Sequence, residues 1–412
     1  MTESTALGDR ASALVPAATG DSAAARKSPL PPIVWLMGAV SFLVGTTEMI
    51  VAGILPEISE ALDVSVAQAG SLITVFALGM MIGSPLMALA TLRLPKRATL
   101  VASLLLFAAG HVIGALTDVF ALALLGRLVA SLGTGTFWAV GALVATSAAG
   151  RERAAGAMGV MVGGLTIANV VGVPLGAALG KGLGWQGPFW LLAVLSLIAA
   201  AVIARQVPAG HGGGAHATVR GEFASLRTGR LWLVYLAIAL AQAAVLGTYS
   251  YISPILTDRA GLSAGLVPLA MLGYGAGTVV GSALGGRLGD RIPWRAAITA
   301  ISATTLVLIA MTLWATNSVV AVVLVVALGV AGLVCNPILS AQVVTVVGPG
   351  RPLAMALSNS AFNVGIALGS ALAGVALSSG LRAQGPPLVG VIFGVLALGP
   401  LAVLAATARR HA

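Results

Sequence analysis

The stretch GSPLMALATLRLPKRA, residues 83–98, returns as GSALGGRLGDRIPWRA at residues 281–296. The two align without gaps at an offset of 198 residues, and seven of their sixteen positions are identical. Shared composition alone would give roughly one or two matches. Arg93, Pro95 and Arg97 of the first copy stand where Arg291, Pro293 and Arg295 stand in the second. Each copy closes an apolar run and turns through a short basic segment. Such a repeat means one structural unit used twice.

The surroundings show what the unit is. The chain is 58% hydrophobic and 8% charged. Twelve apolar runs lie at 33–55, 70–91, 98–117, 119–147, 156–179, 188–204, 231–256, 266–286, 297–315, 319–341, 354–378 and 387–407. A run of about 20 residues crosses about 30 Å of hydrocarbon at ~1.5 Å per residue. Short alternating strands of the barrel type are absent, so the runs are predicted helices. The expected fold is an all-α membrane protein of twelve transmembrane helices in two pseudo-symmetric six-helix bundles. The expected bundles are 31–204 and 231–407. Residues 1–30, rich in Ala, Ser and Thr, read as a disordered cytoplasmic tail, and 408–412 as a second short tail. Residues 205–230, with Gly212, Gly213, Gly214, His211 and His216, read as a cytoplasmic linker rather than a metal site.

The net charge of +10 suggests nucleic acid, but its placement does not. With the N-terminus inside, 18 of the 22 Lys and Arg residues fall in cytoplasmic segments. Lys181, Arg259 and Arg382 fall outside. This is the positive-inside asymmetry, and it puts both termini in the cytoplasm. The expected localisation is the cell membrane, with the bilayer as a partner and no nucleic acid. A monomer is expected. Cys335 is the only cysteine, so no intramolecular disulfide forms.

Two charged side chains, Glu48 and Arg127, lie inside the runs. An ionised group there costs about 2.5–3.5 kcal/mol on insertion scales, so it has a task or a partner. Each sits about 12 Å from the outer end of its run. Equal depth allows a pair, and helix rotation decides whether one forms.

Four further stretches are GTTEMIVAGILPEI (45–58), HVIGALTD (111–118), GRLVASLGTG (126–135) and GLTIANVVGVPLGAALG (164–180). With the repeat, they make the chain resemble the major facilitator superfamily, and more narrowly its twelve-span drug:proton antiporters of the chloramphenicol-efflux type. The resemblance covers the whole membrane part. It implies spans one and four around one cavity, a functional Arg127, and outward transport. Ala130 stands where the family has a Gln. The family's loop signature is matched fairly by Gly286, Asp290, Arg291 and Arg295. In the first half Arg93 and Arg97 remain but Leu92 replaces the expected Asp. These residues are candidates for conformational gating.

In the fifth run Gly164, Ala168, Gly172, Gly176 and Gly180 recur every four residues around Pro174, which resembles the antiporter signature. Small residues on one ridge admit a neighbouring helix closely, and a proline bends the helix. Gly365, Gly369 and Ala373 form the expected counterpart in span eleven. Candidates for the substrate cavity are Trp138, Asn169, Gln242, Tyr249 and His111. The other six tryptophans lie near run ends and read as interfacial anchors. Asn336, Asn359 and Asn363 read as interhelical hydrogen-bonding amides.

A carrier follows in which proton, cargo and Arg127 compete for Glu48. The proton gradient would be the energy source, with no cofactor. No nucleotide-binding loop, catalytic cluster or metal-ligand spacing is present, which argues against a pump or an enzyme. The expected cargo is a small amphipathic drug such as chloramphenicol, as in antibiotic resistance. A sugar or nucleoside exporter is the rival carrier. A channel-like or non-transporting membrane protein is the rival of another class.

Overall fold

The computed structural model describes residues 30–90, 94–150, 153–208, 226, 228–348 and 352–408. Twelve helices among them are long and apolar enough to cross a membrane. They are α1 Pro32–Gly53, α2 Val66–Ala90, α3 Lys96–Leu116, α4 Phe120–Ala149, α5 from Ala154 to Leu183, α6 Gln186–Gln206, α7 Gly229–Tyr249, α8 Val267–Arg291, α9 Pro293–Trp314, α10 Ser318–Val347, α11 Pro352–Ser378 and α12 Gly385–Ala408. Most of the linker and Arg93 lie outside the described residues.

Two predicted runs stop early, and proline explains both. The first ends at Gly53, and a short helix, Leu55–Ala61, resumes around Pro56. The seventh was expected to reach residue 256 but ends at Tyr249, and Ile252–Arg259 continues as a short helix around Pro254. Proline lacks the N–H that an uninterrupted ladder needs.

Glycine sets how closely the helices approach. Along α5, a Cβ at Gly164 would strike the carbonyl of Gly38, at Gly172 the hydroxyl of Thr46, and at Gly176 the side chain of Ile50. The glycine ridge therefore seats α1. In the second half, Gly365 and Gly369 of α11 meet the carbonyls of Ala239 and Ala243 on α7 in the same way. The repeat offset holds in space too. Gly79 and Gly83 of α2 pack on Leu128, Ser131 and Leu132 of α4, while Gly277 and Gly281 of α8 pack on Val326 and Val330 of α10.

Just before Pro174, α5 widens into a π-helical turn at Ala168–Gly172. A proline leaves the carbonyl four residues back without a donor, and a wider turn accommodates the mismatch. The backbone of Asn169 and Val170 in that turn lies against Gly275 of α8.

The bundles meet along α5 with α8 and α2 with α11. Thr74 and Ser370 share a hydrogen bond of 2.8 Å, and Ser360 donates to the Met81 carbonyl at 2.9 Å. The distribution of apolar packing is uneven. At the end away from the termini, one core joins both bundles, from Met49–Leu62 and Leu72 to Tyr249–Leu256, Met271 and Ala373. At the end where α1 begins, each bundle has its own core, around Phe107 and Phe137 in the first and Ile301 and Leu339 in the second. The apolar core is thus continuous across the bundles at the far end and divided at the other.

The seam at the closed end includes Tyr251. Its hydroxyl fills the space that a Cβ would need at Gly70 of α2 and at Gly374 of α11. Lys181 of α5 donates to the Ala264 carbonyl of the second bundle and lies 3.9 Å from Glu57. Leu116, Leu306, Val319 and Val375 are each more than 60% exposed on the perimeter, where lipid replaces water as their solvent. Trp35, Trp190, Trp232 and Trp314 are exposed near helix ends, as interfacial anchors are. Trp185 departs from that expectation, since it is buried edge-on against Phe189.

Candidate functional site

Between the bundles lies a cavity of about 250 Å³ lined by Glu48, Trp138, Leu165, Ile238, Asn336, Ser340, Met355, Ser358, Asn359 and Phe362. Glu48 comes from α1, Trp138 from α4 and Leu165 from α5. The rest come from α7, α10 and α11. The lining is divided by chemistry. The first bundle contributes one carboxyl, one indole and one leucine. The hydroxyls and amides all come from α10 and α11, flanked by Met355 and Phe362. Asn359 and Ser358 are neighbours on α11, and Asn359 also reaches Ser84 of α2 at 3.4 Å. Asn363 donates to the Asn359 carbonyl at 2.9 Å and stays buried.

Glu48 is half-buried, and among the described residues it has no ion pair within 4.0 Å. Arg127 is buried and faces its neighbour in sequence instead. Its Nη1 donates to Thr47 Oγ1 at 2.9 Å and its Nη2 to the Thr47 carbonyl at 3.1 Å. Its Nε points at the Leu72 carbonyl at 3.4 Å, and its guanidinium carbon sits 4.1 Å from the centre of the Phe76 ring. Carbonyls and an aromatic face thus take the place of a counter-ion. Equal depth did bring the two charges to one level of the fold. Helix rotation, about 100° per residue, gave the arginine Thr47.

His111 joins the same network. Its Nε2 lies 2.7 Å from Thr47 Oγ1 and its Nδ1 2.7 Å from the Phe107 carbonyl. It is buried beside the rings of Phe107 and Phe189, and does not line the cavity.

The other candidates are dispersed. Trp138 shares the cavity with Glu48. Asn169 occupies the π-helical turn at the seam with α8. Gln242 is buried in α7, and its Oε1 has no partner among the described residues. Tyr249 is buried and stacks on Tyr274 of α8, with ring centres 4.0 Å apart. Among the gating candidates, Asp290, Arg291 and Arg295 are exposed and Arg97 is half-buried, with no ion pair within 4.0 Å among the described residues. That fits a molecule divided at their end.

Sequence reasoning missed Thr47, Ser340, Ser358 and Phe362. A lone hydroxyl or phenylalanine in an apolar helix gives no signal of its own. Asn336 and Asn359, read as interhelical amides, both line the cavity, and Asn359 also makes the interhelical contact to Ser84. Asn363, read the same way, bonds within α11 instead.

Similarity to known proteins agrees with this arrangement. The model of the Major Facilitator Superfamily matches residues 37–349 and 234–412. The "Chloramphenicol resistance protein" of Streptomyces lividans is 34% identical over 363 residues, 87% of this chain and 92% of that protein. The "Inner membrane transport protein YdhP" of Escherichia coli (strain K12) is 33% identical over 358 residues, covering 87% and 92%. A bacterial homolog to the human lysosomal transporter Spinster, crystallised in an inward-facing and unoccupied conformation, superposes with a TM-score of 0.75 at 15% identity, covering 91% of this chain and 97% of that one. The twelve apolar helices, the repeat realised in space and these matches agree: the chain is a multi-pass cell-membrane transporter belonging to the Major Facilitator Superfamily.

Proposed function

We propose that this protein exports a small amphipathic drug such as chloramphenicol in exchange for protons, by alternating access. The observation that carries the reading is the cavity lining. A single carboxyl, Glu48, shares a small inter-bundle cavity with an indole and an arc of hydroxyls and amides. A phenicol has an aromatic ring, two hydroxyls and an amide. The ring suits Trp138 and Phe362, and the polar groups suit Asn336, Ser340, Ser358 and Asn359. The Streptomyces lividans relative, named for chloramphenicol resistance, supports the same cargo.

With both termini in the cytoplasm, as the charge asymmetry requires, the divided end faces inward and the sealed end outward. Cargo enters from the cytoplasm and Glu48 gives up its proton. The seam at Tyr251 then opens as the divided end closes, cargo leaves, and a proton from outside returns to Glu48. One charge moved through 100 mV supplies about 2.3 kcal/mol.

A sugar or nucleoside is the second reading, and the four amide and hydroxyl residues of α10 and α11 favour it. The test is accumulation of labelled chloramphenicol in cells with and without the protein. Cells with it should hold several-fold less, and an uncoupler should erase the difference. Equal accumulation would remove chloramphenicol as cargo, and the same assay with nucleosides and sugars then decides the second reading.

A further inference from the structure

We propose that Thr47 and His111 are positioning residues that hold Arg127 on the Thr47 side of α1 and so keep the Glu48 carboxyl free for proton and cargo. This rests on the reading of Glu48 given above. The direction of every hydrogen in the network supports it. A carbonyl only accepts, so the hydrogen on His111 sits on Nδ1 and points at Phe107. A guanidinium only donates, so Thr47 Oγ1 accepts from Arg127. The threonine's own hydrogen is then left for His111 Nε2, which accepts it at 2.7 Å. The chain runs one way, from Arg127 through Thr47 and His111 to Phe107.

A second proton on His111 would reverse it. The threonine hydrogen would lose its acceptor and have to turn away, and a second positive charge would sit beside a buried guanidinium. The ring is therefore neutral, with a bare Nε2. Its service is to turn the threonine hydroxyl so that a lone pair faces Arg127. Without that lone pair, Nη1 would lose its acceptor in a buried place, and an unpartnered buried donor is costly. The Glu48 carboxylate, one residue along α1, is the nearest anion that can replace it.

Few ionisable groups face Glu48. The described parts of α2, α10, α11 and α12 carry no Lys, Arg, His, Asp or Glu. On α5, α6, α7 and α8 such groups sit at helix ends, as Lys181, Arg205, Arg230, Arg287, Asp290 and Arg291. Arg295 lies at the start of α9, and Lys96 and Arg97 at the start of α3. Glu57, Glu60, Asp63, Asp118 and Arg153 lie in the short helix or loops at the first bundle's ends. That leaves Arg127 on α4 and His111 on α3 as the first bundle's other ionisable groups within its spans, among the described residues. Whether Glu48 meets a free cavity or a cation thus depends on where Arg127 is held.

The test reads the Glu48 proton without requiring transport. A hydrophobic carbodiimide attacks protonated carboxyls, so its yield on the Glu48 peptide, followed by mass spectrometry against pH, tracks the protonated form in purified protein in nanodiscs. In Thr47→Val and His111→Leu, Arg127 turns to Glu48, and the labelling midpoint should move about one pH unit or more toward acid. Thr47→Ser and His111→Gln keep an acceptor chain and should label like the wild type. If Thr47→Val does not fold, the His111→Leu and His111→Gln pair carries the same comparison. Unchanged midpoints in Thr47→Val and His111→Leu would overturn the proposal, as would a shift in the two conservative variants. Proton-driven export is measured beside the labelling. A wild-type protein that shows the expected labelling pattern but no export retains the positioning role and loses the functional reading.

Discussion

Glu48→Gln is expected to abolish proton-driven accumulation of cargo in proteoliposomes while leaving exchange of preloaded cargo intact. Glutamine keeps the size and hydrogen-bonding capacity of the side chain and removes the exchangeable proton. Among the described residues Glu48 is the only acidic one lining the cavity, so none of them can take over. Loss of a group that handles the proton in the coupled step costs about two orders of magnitude or more. Exchange does not need the gradient, because cargo drives the rocking in both directions. Counterflow by the variant at a near wild-type rate, without uphill accumulation, is the expected pair of results. Accumulation that still follows an imposed pH gradient would move the coupling to another group.

The second large effect belongs to the closed end. Gly70→Val should weaken the outer seam and shift the protein toward the state in which that end is open. A Cβ at Gly70 would lie 2.6 Å from Tyr251 Cζ and closer still to its hydroxyl. Tyr251 has little room to retreat, because Gly374 of α11 receives the same hydroxyl and the residue is buried. Overpacking of this kind costs about 1–3 kcal/mol. Falling on one of two states, that converts to a population shift of roughly 5- to 150-fold. A cysteine at Ser253, which is buried in the seam, reports it after Cys335→Ala removes the native thiol. Labelling of that cysteine by an impermeant thiol reagent should rise about tenfold or more in Gly70→Val. An unchanged rate would mean that the seam does not depend on the Tyr251 notch.

Much of the fold was legible because membrane helices announce themselves by length and composition. The repeat at 83–98 and 281–296 read the pseudo-symmetry correctly, with Gly83 answering Gly281, and the structure extends it to Gly79 and Gly277. The glycine ridge of α5 correctly called for a close neighbour, and α1 proved to be that helix. The site was less legible, because spacing gives depth and leaves rotation undetermined. Glu48 and Arg127 share a level, but the turn of α1 presents Thr47 to the arginine and Glu48 to the cavity. His111 was assigned to the cavity and lies instead behind Thr47. The polar arc of α10 and α11 consists of residues whose types occur in any helix, and only packing brings them to one face. The early end of α7 had a signal in Pro254, which the absence of any charged residue through 256 concealed.

The central claim is that cargo and proton exchange at Glu48, and proton counting tests it most directly. Purified protein in a lightly buffered, low-salt solution is mixed with saturating chloramphenicol while a pH indicator is read. At a pH where Glu48 is protonated, binding should release on the order of one proton per molecule of wild-type protein and none from Glu48→Gln. Equal release from both proteins, or tight binding with no release from either, would contradict the account.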